Sequence, residues 1–351
     1  MATGTATEGA TSKNVNRLGL TLTDYKGLSS TLCAGCGHDA ITSRITRALY
    51  EFDIDPYRIV KLSGIGCSSK TPAYFSSKSA GFNAVHGRMP SIATGVVLAN
   101  KNLIAIGVSG DGDTASIGIG QFVHMVRRNV PTVYIIENNG VYGLTKGQFS
   151  ATADVGSTQK SGTANNIQPI DCCTLAIELG CGYVARSFAG DPRQLIPLLK
   201  GALAHRGTAV IDVISPCVTF NNHDGSTKSY KYGKEHDVLL HEVGFIPHYE
   251  PLPEVDYEPG TTKAVELPDG SHLIFKKLGL DYDPTDKLKA VETIKKADKE
   301  GQLLTGLIYV EPSKPDLITL LNMTDEPLAT ISQDKVVPPQ SVLNEIMQGL
   351  M

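Results

Sequence analysis

Apolar and polar positions along this chain change period every eight to fifteen residues, and that change predicts its elements. Residues 38–52 place Ile41, Ile45, Ala48, Leu49 and Phe52 at helical spacing. Short apolar runs at 58–63, 103–109, 132–137, 182–188 and 208–215 read as strands. Between them, 90–100, 114–128, 172–179 and 192–205 read as helices, and the polar stretch 150–170 as a loop. The strands are apolar almost without interruption, which predicts burial on both faces. Strand–helix alternation of this kind predicts an α/β fold: a parallel sheet with helices on both faces.

After about residue 220 the texture changes. Residues 228–237 are charged, and 246–260 are rich in Pro, Tyr and acid. Residues 265–278 predict a hairpin around Pro268-Asp269-Gly270. An exposed charged helix is expected over 286–299, N-capped by Thr285, and a short strand over 306–310. The expected organisation is a flexible tail over 1–20, one domain over 21–222, and a C-terminal extension over 223–351 that wraps the core or a partner.

The chain has 351 residues, 41% hydrophobic and 19% charged, as expected of a soluble globular protein. A net charge of −4 does not suggest a nucleic-acid surface. No apolar run approaches membrane-spanning length. The Thr- and Gly-rich first 20 residues do not read as a signal peptide. Seven cysteines is an odd number for a disulfide framework, so a cytoplasmic, reducing setting is expected.

In sheets of this type ligands gather at the carboxyl ends of the strands, and here four strand ends carry polar clusters. Ser109-Gly110-Asp111-Gly112-Asp113 ends one strand, and Glu137-Asn138-Asn139-Gly140-Val141-Tyr142 ends the next. Mg²⁺ takes hard oxygen ligands, several of them from water and phosphate. Asp111 offers a carboxylate, Asn139 an amide oxygen and Val141 a backbone carbonyl. Gly110 and Gly112 let the backbone approach a phosphate closely. The GDG–NN pair resembles the motif of thiamine diphosphate (TPP) enzymes. Cys33-Ala34-Gly35-Cys36 lies in a Gly-rich loop, Cys67 follows Gly64-Ile65-Gly66, and Cys217 follows Ser215-Pro216. Four thiolates on such loops suit Zn²⁺ or an iron–sulfur cluster. Cys172, Cys173 and Cys181 sit in apolar contexts and read as buried thiols. His86 and Arg88, around Gly87, are candidates for polar contacts to cofactor or substrate. Lys70, three residues beyond Cys67, is a candidate to bind a substrate carboxylate.

Taken in order, Cys33–His38, Ser63–Lys70, His86–Arg88, Gly110–Asp113, Asn138–Gln148 and Ser215–Cys217 resemble the TPP-binding β subunit of the 2-oxoacid:ferredoxin oxidoreductases. The resemblance covers residues 30–222. It implies a [4Fe–4S] cluster on Cys33, Cys36, Cys67 and Cys217. It implies Mg²⁺ on Asp111, Asn139 and the Val141 carbonyl, with cofactor contacts from Gly64, Ile65, Gly66, Cys67, Ser68, His86, Gly110–Asp113, Asn139, Gly143, Leu144 and Thr145. The family's chemistry is oxidative decarboxylation: TPP supplies the carbon chemistry, the cluster carries electrons to ferredoxin, and coenzyme A captures the acyl group.

Only one TPP-type half is present. The resemblance therefore implies an α subunit, with or without a fused γ domain, and an (αβ)₂ assembly. A β subunit of this length with Thr31-Leu32-Cys33 before the first loop resembles the 2-oxoglutarate type, with pyruvate or a broad range of 2-oxoacids as alternatives. A non-redox TPP subunit, a zinc-stabilised one and a non-catalytic assembly subunit are the other readings the residues allow.

Overall fold

The computed structural model describes residues 15–145, 147–157, 163–215, 217, 254–266 and 272–350. Its strands are β1 (Ile59–Ser63), β2 (Ala80–Asn83), β3 (Ile104–Gly110), β4 (Thr132–Asn138), β5 (Val141–Tyr142), β6 (Gln148–Phe149), β7 (Tyr183–Phe188), β8 (Thr208–Ile214), β9 (Thr262–Glu266), β10 (His272–Lys277) and β11 (Leu303–Val310). Nine of them form one sheet in the order β2-β1-β3-β4-β8-β7-β11-β10-β9, and β5 with β6 makes a separate ribbon. From β2 to β7 every pairing is parallel.

The helices are α1 (Gly37–Glu51), α2 (Thr71–Tyr74), α3 (Met89–Ala99), α4 (Ile119–Arg127), α5 (Cys172–Glu178), α6 (Pro192–Ala204), α7 (Lys287–Lys299), α8 (Leu317–Leu320), α9 (Gln333–Val336) and α10 (Gln340–Leu350). They cover both faces of the sheet. Along β4, Val133 and Ile135 join the core under α1 and α6, while Tyr134 and Ile136 join the core under α3, α4, α5 and α7. Successive side chains of a strand point to opposite faces, so a strand buried on both sides must be apolar throughout. This is the predicted α/β architecture.

Several elements differ from the sequence reading for physical reasons. The helix expected over 114–128 is broken: Asp113–Ile117 is a π-helical turn, and α4 starts only after Gly118. Strand β2 is exposed along its whole length and lacks the apolar run that marks a buried strand. The N-cap of α7 is Asp286, whose side chain accepts from the Lys289 N–H, rather than Thr285. Within the expected tail, Asn16 Nδ2 donates to the Tyr25 hydroxyl at 2.8 Å and to the Tyr50 carbonyl at 3.2 Å. The extension does more than wrap: β11 pairs antiparallel with β7 and carries β10 and β9 into the same sheet. The charged run 228–237 and the turn Pro268–Gly270 lie outside the described residues.

One buried ion network ties β7 and β8 to the start of α5. Arg186 Nε donates to Asp212 Oδ2 at 2.9 Å, and its Nη2 donates to Asp171, which also caps α5. Removing one partner of a buried pair strands the other charge without solvent. Arg186→Met is therefore expected to destabilise the fold by about 3–5 kcal/mol in denaturant unfolding. A loss below about 1 kcal/mol would mean the pairs contribute no more than exposed ones do.

Candidate active site

The parallel strands β1, β3 and β4 end side by side, and the loops leaving them enclose a cavity of about 180 Å³. Ile65, Gly66, Cys67 and Ser68 line it from the end of β1, and Gly110–Asp113 from the end of β3. Glu137, Asn139, Val141, Tyr142, Gly143, Leu144 and Thr145 line it from β4 onward, and His38 and His86 complete it. Gly64 lies just behind the wall. A Cβ there would stand 2.4 Å from Ser109 Oγ and 2.5 Å from Asp113 Oδ2, so no side chain fits. At Gly112 a Cβ would meet the Tyr142 ring at 2.5 Å.

Asp111 is the most heavily bonded carboxylate of the site and is only 1% exposed. Its Oδ2 accepts from the Gly140 N–H at 3.1 Å, from Thr152 Oγ1 at 2.6 Å and from Ser150 Oγ. Its Oδ1 meets only the Asn139 N–H, at 3.3 Å. The Asn139 amide oxygen is turned by the Val141 N–H at 3.1 Å. Asp113 has a different job. Its Oδ1 accepts from the Gly87 N–H at 2.7 Å and its Oδ2 from Ser109 at 3.0 Å, which fixes the His86–Arg88 loop against the GDGD turn.

Of the four candidate cysteines, one lies in the cavity wall and the other three nearby. Cys67 lines it. A Cβ on Gly143 would lie 3.7 Å from Cys67 Sγ and 3.6 Å from Cys217 Sγ. Cys36 feels the charge of Cys217, and Cys67 that of Cys33. Burial pushes both the Cys36 and Cys67 thiols up, and Lys70 opposes this at Cys67. Among the described residues, no three His, Cys, Asp or Glu side chains are grouped tightly enough to hold one metal ion. Cys172, Cys173 and Cys181 are fully buried core thiols, as expected.

Lys70 and Arg88 do not line the cavity. Lys70 Nζ donates to the Thr31 carbonyl at 3.4 Å, on the cysteine side, and Arg88 is exposed at the start of α3. His38 and Glu137 were missed by sequence reasoning. His38 Nδ1 lies 3.1 Å from Glu137 Oε2, both side chains are buried, and Thr71 Oγ1 donates to the same carboxyl at 2.9 Å. Burial pushes His38 down to about 4 and Glu137 well above the carboxylate range, so the pair is neutral. The signal for His38 was its place directly after the Cys36 loop. Glu137 was masked by the apolar strand it ends.

A larger cavity of about 410 Å³ lies on the other side of a wall formed by Asn138 and Thr152. Among the described residues, Asp154, Asp171, Asp212 and Asp298 line it against a single cation, Arg186. That charge balance repels a diphosphate, so the smaller, glycine-lined cavity is the candidate active site.

Glycines at the cavity wall, a buried carboxylate with one lightly engaged oxygen, and an oriented amide oxygen together fit a metal-bound diphosphate. The matching family model agrees: residues 64–213 match the thiamine pyrophosphate enzyme, C-terminal TPP binding domain. The fold and site therefore define a TPP-enzyme subunit. The β subunit of a 2-oxoacid:ferredoxin oxidoreductase from Saccharolobus solfataricus is 42% identical over 221 residues, 63% of this chain and 70% of that one. The 2-oxoglutarate oxidoreductase subunit KorB of Mycobacterium tuberculosis is 38% identical over 222 residues, 63% of this chain and 57% of that one. A solved 2-oxoglutarate:ferredoxin oxidoreductase from Magnetococcus marinus, with 2-oxoglutarate, coenzyme A and succinyl-CoA bound, superposes with a TM-score of 0.70 at 29% identity, covering 95% of this chain and 97% of that one. The chain belongs to the β subunits of the 2-oxoacid:ferredoxin oxidoreductases, and it is an oxidoreductase subunit.

The neutral Glu137 makes a pH prediction. A carboxyl whose folded pKa is raised above its usual 4.5 stabilises the fold fully below that value. The contribution is lost as pH rises, because the unfolded state releases the proton and the folded state must keep it. Glu137→Gln keeps the shape and removes the proton. Its stability relative to the parent should rise as pH increases above about 4.5 in thermal unfolding. A pH-independent difference would show Glu137 ionised in the fold.

Proposed function

We propose that this chain, with an α subunit, catalyses the coenzyme A-dependent oxidative decarboxylation of 2-oxoglutarate to succinyl-CoA and CO₂, passing electrons through a [4Fe–4S] cluster to ferredoxin. The reverse carboxylation uses the same site. The observation that carries the redox part is Cys67. It lines the TPP cavity, while its sulfur converges with Cys217 over Gly143. A cluster on Cys33, Cys36, Cys67 and Cys217 would therefore share a wall with the cofactor. Charge from the bound iron would reverse the upward push on the buried thiols and hold them as thiolates.

Mg²⁺ would be held by Asp111 Oδ1, the Asn139 amide oxygen and the Val141 carbonyl, which bring the diphosphate onto the Gly110–Asp113 and Gly143–Thr145 backbone. Bound TPP supplies the carbon-centred chemistry of decarboxylation. The protein's own part is to hold and orient. The Asp113–Gly87 bond sets the His86 loop at the cavity mouth. The buried neutral His38 and Glu137 keep that wall free of charge. Exposed Val85 and Ile117 flank this loop, and Leu144 is 60% exposed at the rim. An apolar rim around half a cofactor site suits coverage by the α subunit, in an (αβ)₂ assembly. Among the described residues no helix is long and apolar enough to cross a membrane, and a cytoplasmic setting suits the thiols.

The names of the Mycobacterium tuberculosis and Magnetococcus marinus proteins favour 2-oxoglutarate over pyruvate. The test is electron paramagnetic resonance of the anaerobic αβ complex with TPP, Mg²⁺ and coenzyme A. A reduced [4Fe–4S] signal elicited by 2-oxoglutarate and not by pyruvate is expected. A signal with pyruvate alone overturns the substrate, and no signal even after dithionite overturns the redox mechanism. Lys70 Nζ rests on the Thr31 carbonyl outside the cavity wall, so a role on the substrate carboxylate requires its long side chain to swing inward. With that role, Lys70→Ala should raise KM for the 2-oxoacid about tenfold or more, the loss expected for a charge-assisted hydrogen bond. Unchanged steady-state kinetics would remove Lys70 from the site.

A further inference from the structure

We infer that Thr152, assisted by Ser150, positions Asp111 for the metal, so that the segment after the β5–β6 ribbon is a working part of the magnesium site. The inference rests on the reading of Asp111 as the Mg²⁺ carboxylate. The two oxygens of Asp111 are treated differently by the fold. A carboxylate has about four lone-pair sites, two on each oxygen. Oδ2 already accepts from Gly140, Thr152 and Ser150, whereas Oδ1 has one long contact to Asn139. Oδ2 is saturated, so the metal must be met by Oδ1. The hydroxyls of Thr152 and Ser150 decide which oxygen is presented and at what angle.

That orientation matters because Mg²⁺ demands near-ideal octahedral geometry. The single Thr152 hydroxyl proton is directed to Asp111 Oδ2 at 2.6 Å and shared more weakly with Asn138 Oδ1 at 3.1 Å, while the Thr152 N–H donates to Ser150 Oγ at 3.2 Å. Asn138 Nδ2 donates to Asp212 Oδ1 at 3.0 Å, and Asp212 is clamped by Arg186. Asp111, Thr152, Asn138, Asp212 and Arg186 are all buried, at 1%, 4%, 4%, 1% and 2% exposure. All of them but Asp111 also line the larger cavity, so the line passes along its wall. It runs from the candidate metal ligand to the buried ion network of β7, β8 and α5, and it makes Thr152 a positioning residue rather than a filler of the loop.

The test measures TPP binding to the metal-stripped αβ complex by titration calorimetry across a Mg²⁺ series. It compares the parent with Thr152→Val, Thr152→Ser, Ser150→Ala and Asp111→Asn. Thr152→Val should raise the Mg²⁺ needed for half-saturation by about 10–100-fold, the usual effect of removing a group that orients a metal ligand. Thr152→Ser, which keeps the hydroxyl, should stay near the parent. If Thr152→Val does not fold, Ser150→Ala carries the test with a smaller rise in the same direction. Equal losses in the Val and Ser variants would make the role one of packing and overturn the inference. So would a parent-like Mg²⁺ requirement in Thr152→Val together with lost Mg²⁺-dependent binding in Asp111→Asn, an outcome that leaves the metal reading standing. Parent-like behaviour of Asp111→Asn would remove the metal reading and this inference together.

Discussion

The structure depends on one buried carboxylate. Asp111 joins the end of β3 to the turn after β4 and to the Ser150–Thr152 segment through hydrogen bonds that solvent does not reach. A buried charge is tolerated only where hydrogen bonds replace its lost hydration. The fold meets that requirement by bringing three chain segments to one point. The same requirement would suit the point to a cation, because an oxygen left lightly engaged in such a setting favours one. Stability and ligand binding are thus served by the same few atoms.

The cysteines show how position within a fold separates thiols of identical chemistry. Cys172, Cys173 and Cys181 sit under helices or beside central strands. There burial raises their pKa, to about 12 at Cys181, and keeps them as neutral core groups. Cys33, Cys36, Cys67 and Cys217 leave the sheet at loop positions, each at least partly exposed, with glycine neighbours that admit a bulky group. Only in the second setting can a metal centre supply the charge that a thiolate needs.

Most of the fold was legible because its strands are buried on both faces and therefore read as unbroken apolar runs between amphipathic helices. The motif half of the site was legible for a related reason. Glycine, aspartate and asparagine at a strand end have few purely local uses in that combination. What stayed hidden lacks a local signature. Strand β2 is an exposed edge, and the π turn at Asp113–Ile117 ends at Gly118, a residue packed so closely on Gly87 that no side chain fits, which a single glycine in an amphipathic run does not announce. Glu137 reads as the end of an apolar strand, and its pairing with His38 spans most of a hundred residues of chain. Ser150 and Thr152 read as ordinary loop polarity until the fold places them on Asp111.

The sheet order explains why these hidden residues collect where they do. Strand progression reverses between β1 and β3: β1 leads outward to β2 and β3 leads the other way to β4, so the loops from the carboxyl ends of β1 and β3 diverge and leave a crevice. Everything that must reach the crevice comes from an element packed beside it: the Cys36–His38 turn at the start of α1, the His86 loop before α3, and the ribbon after β4. Cys67 belongs to the crevice and to the cysteine group at once. A cluster on the proposed cysteines would share this residue with the cofactor cavity, with no further element between them. The same crevice is open on its far side, where Leu144 and Val85 stand exposed. A site that is closed and polar on one wall and apolar and open on the other suits completion by a second subunit, and the chemistry proposed here begins only once that wall is in place.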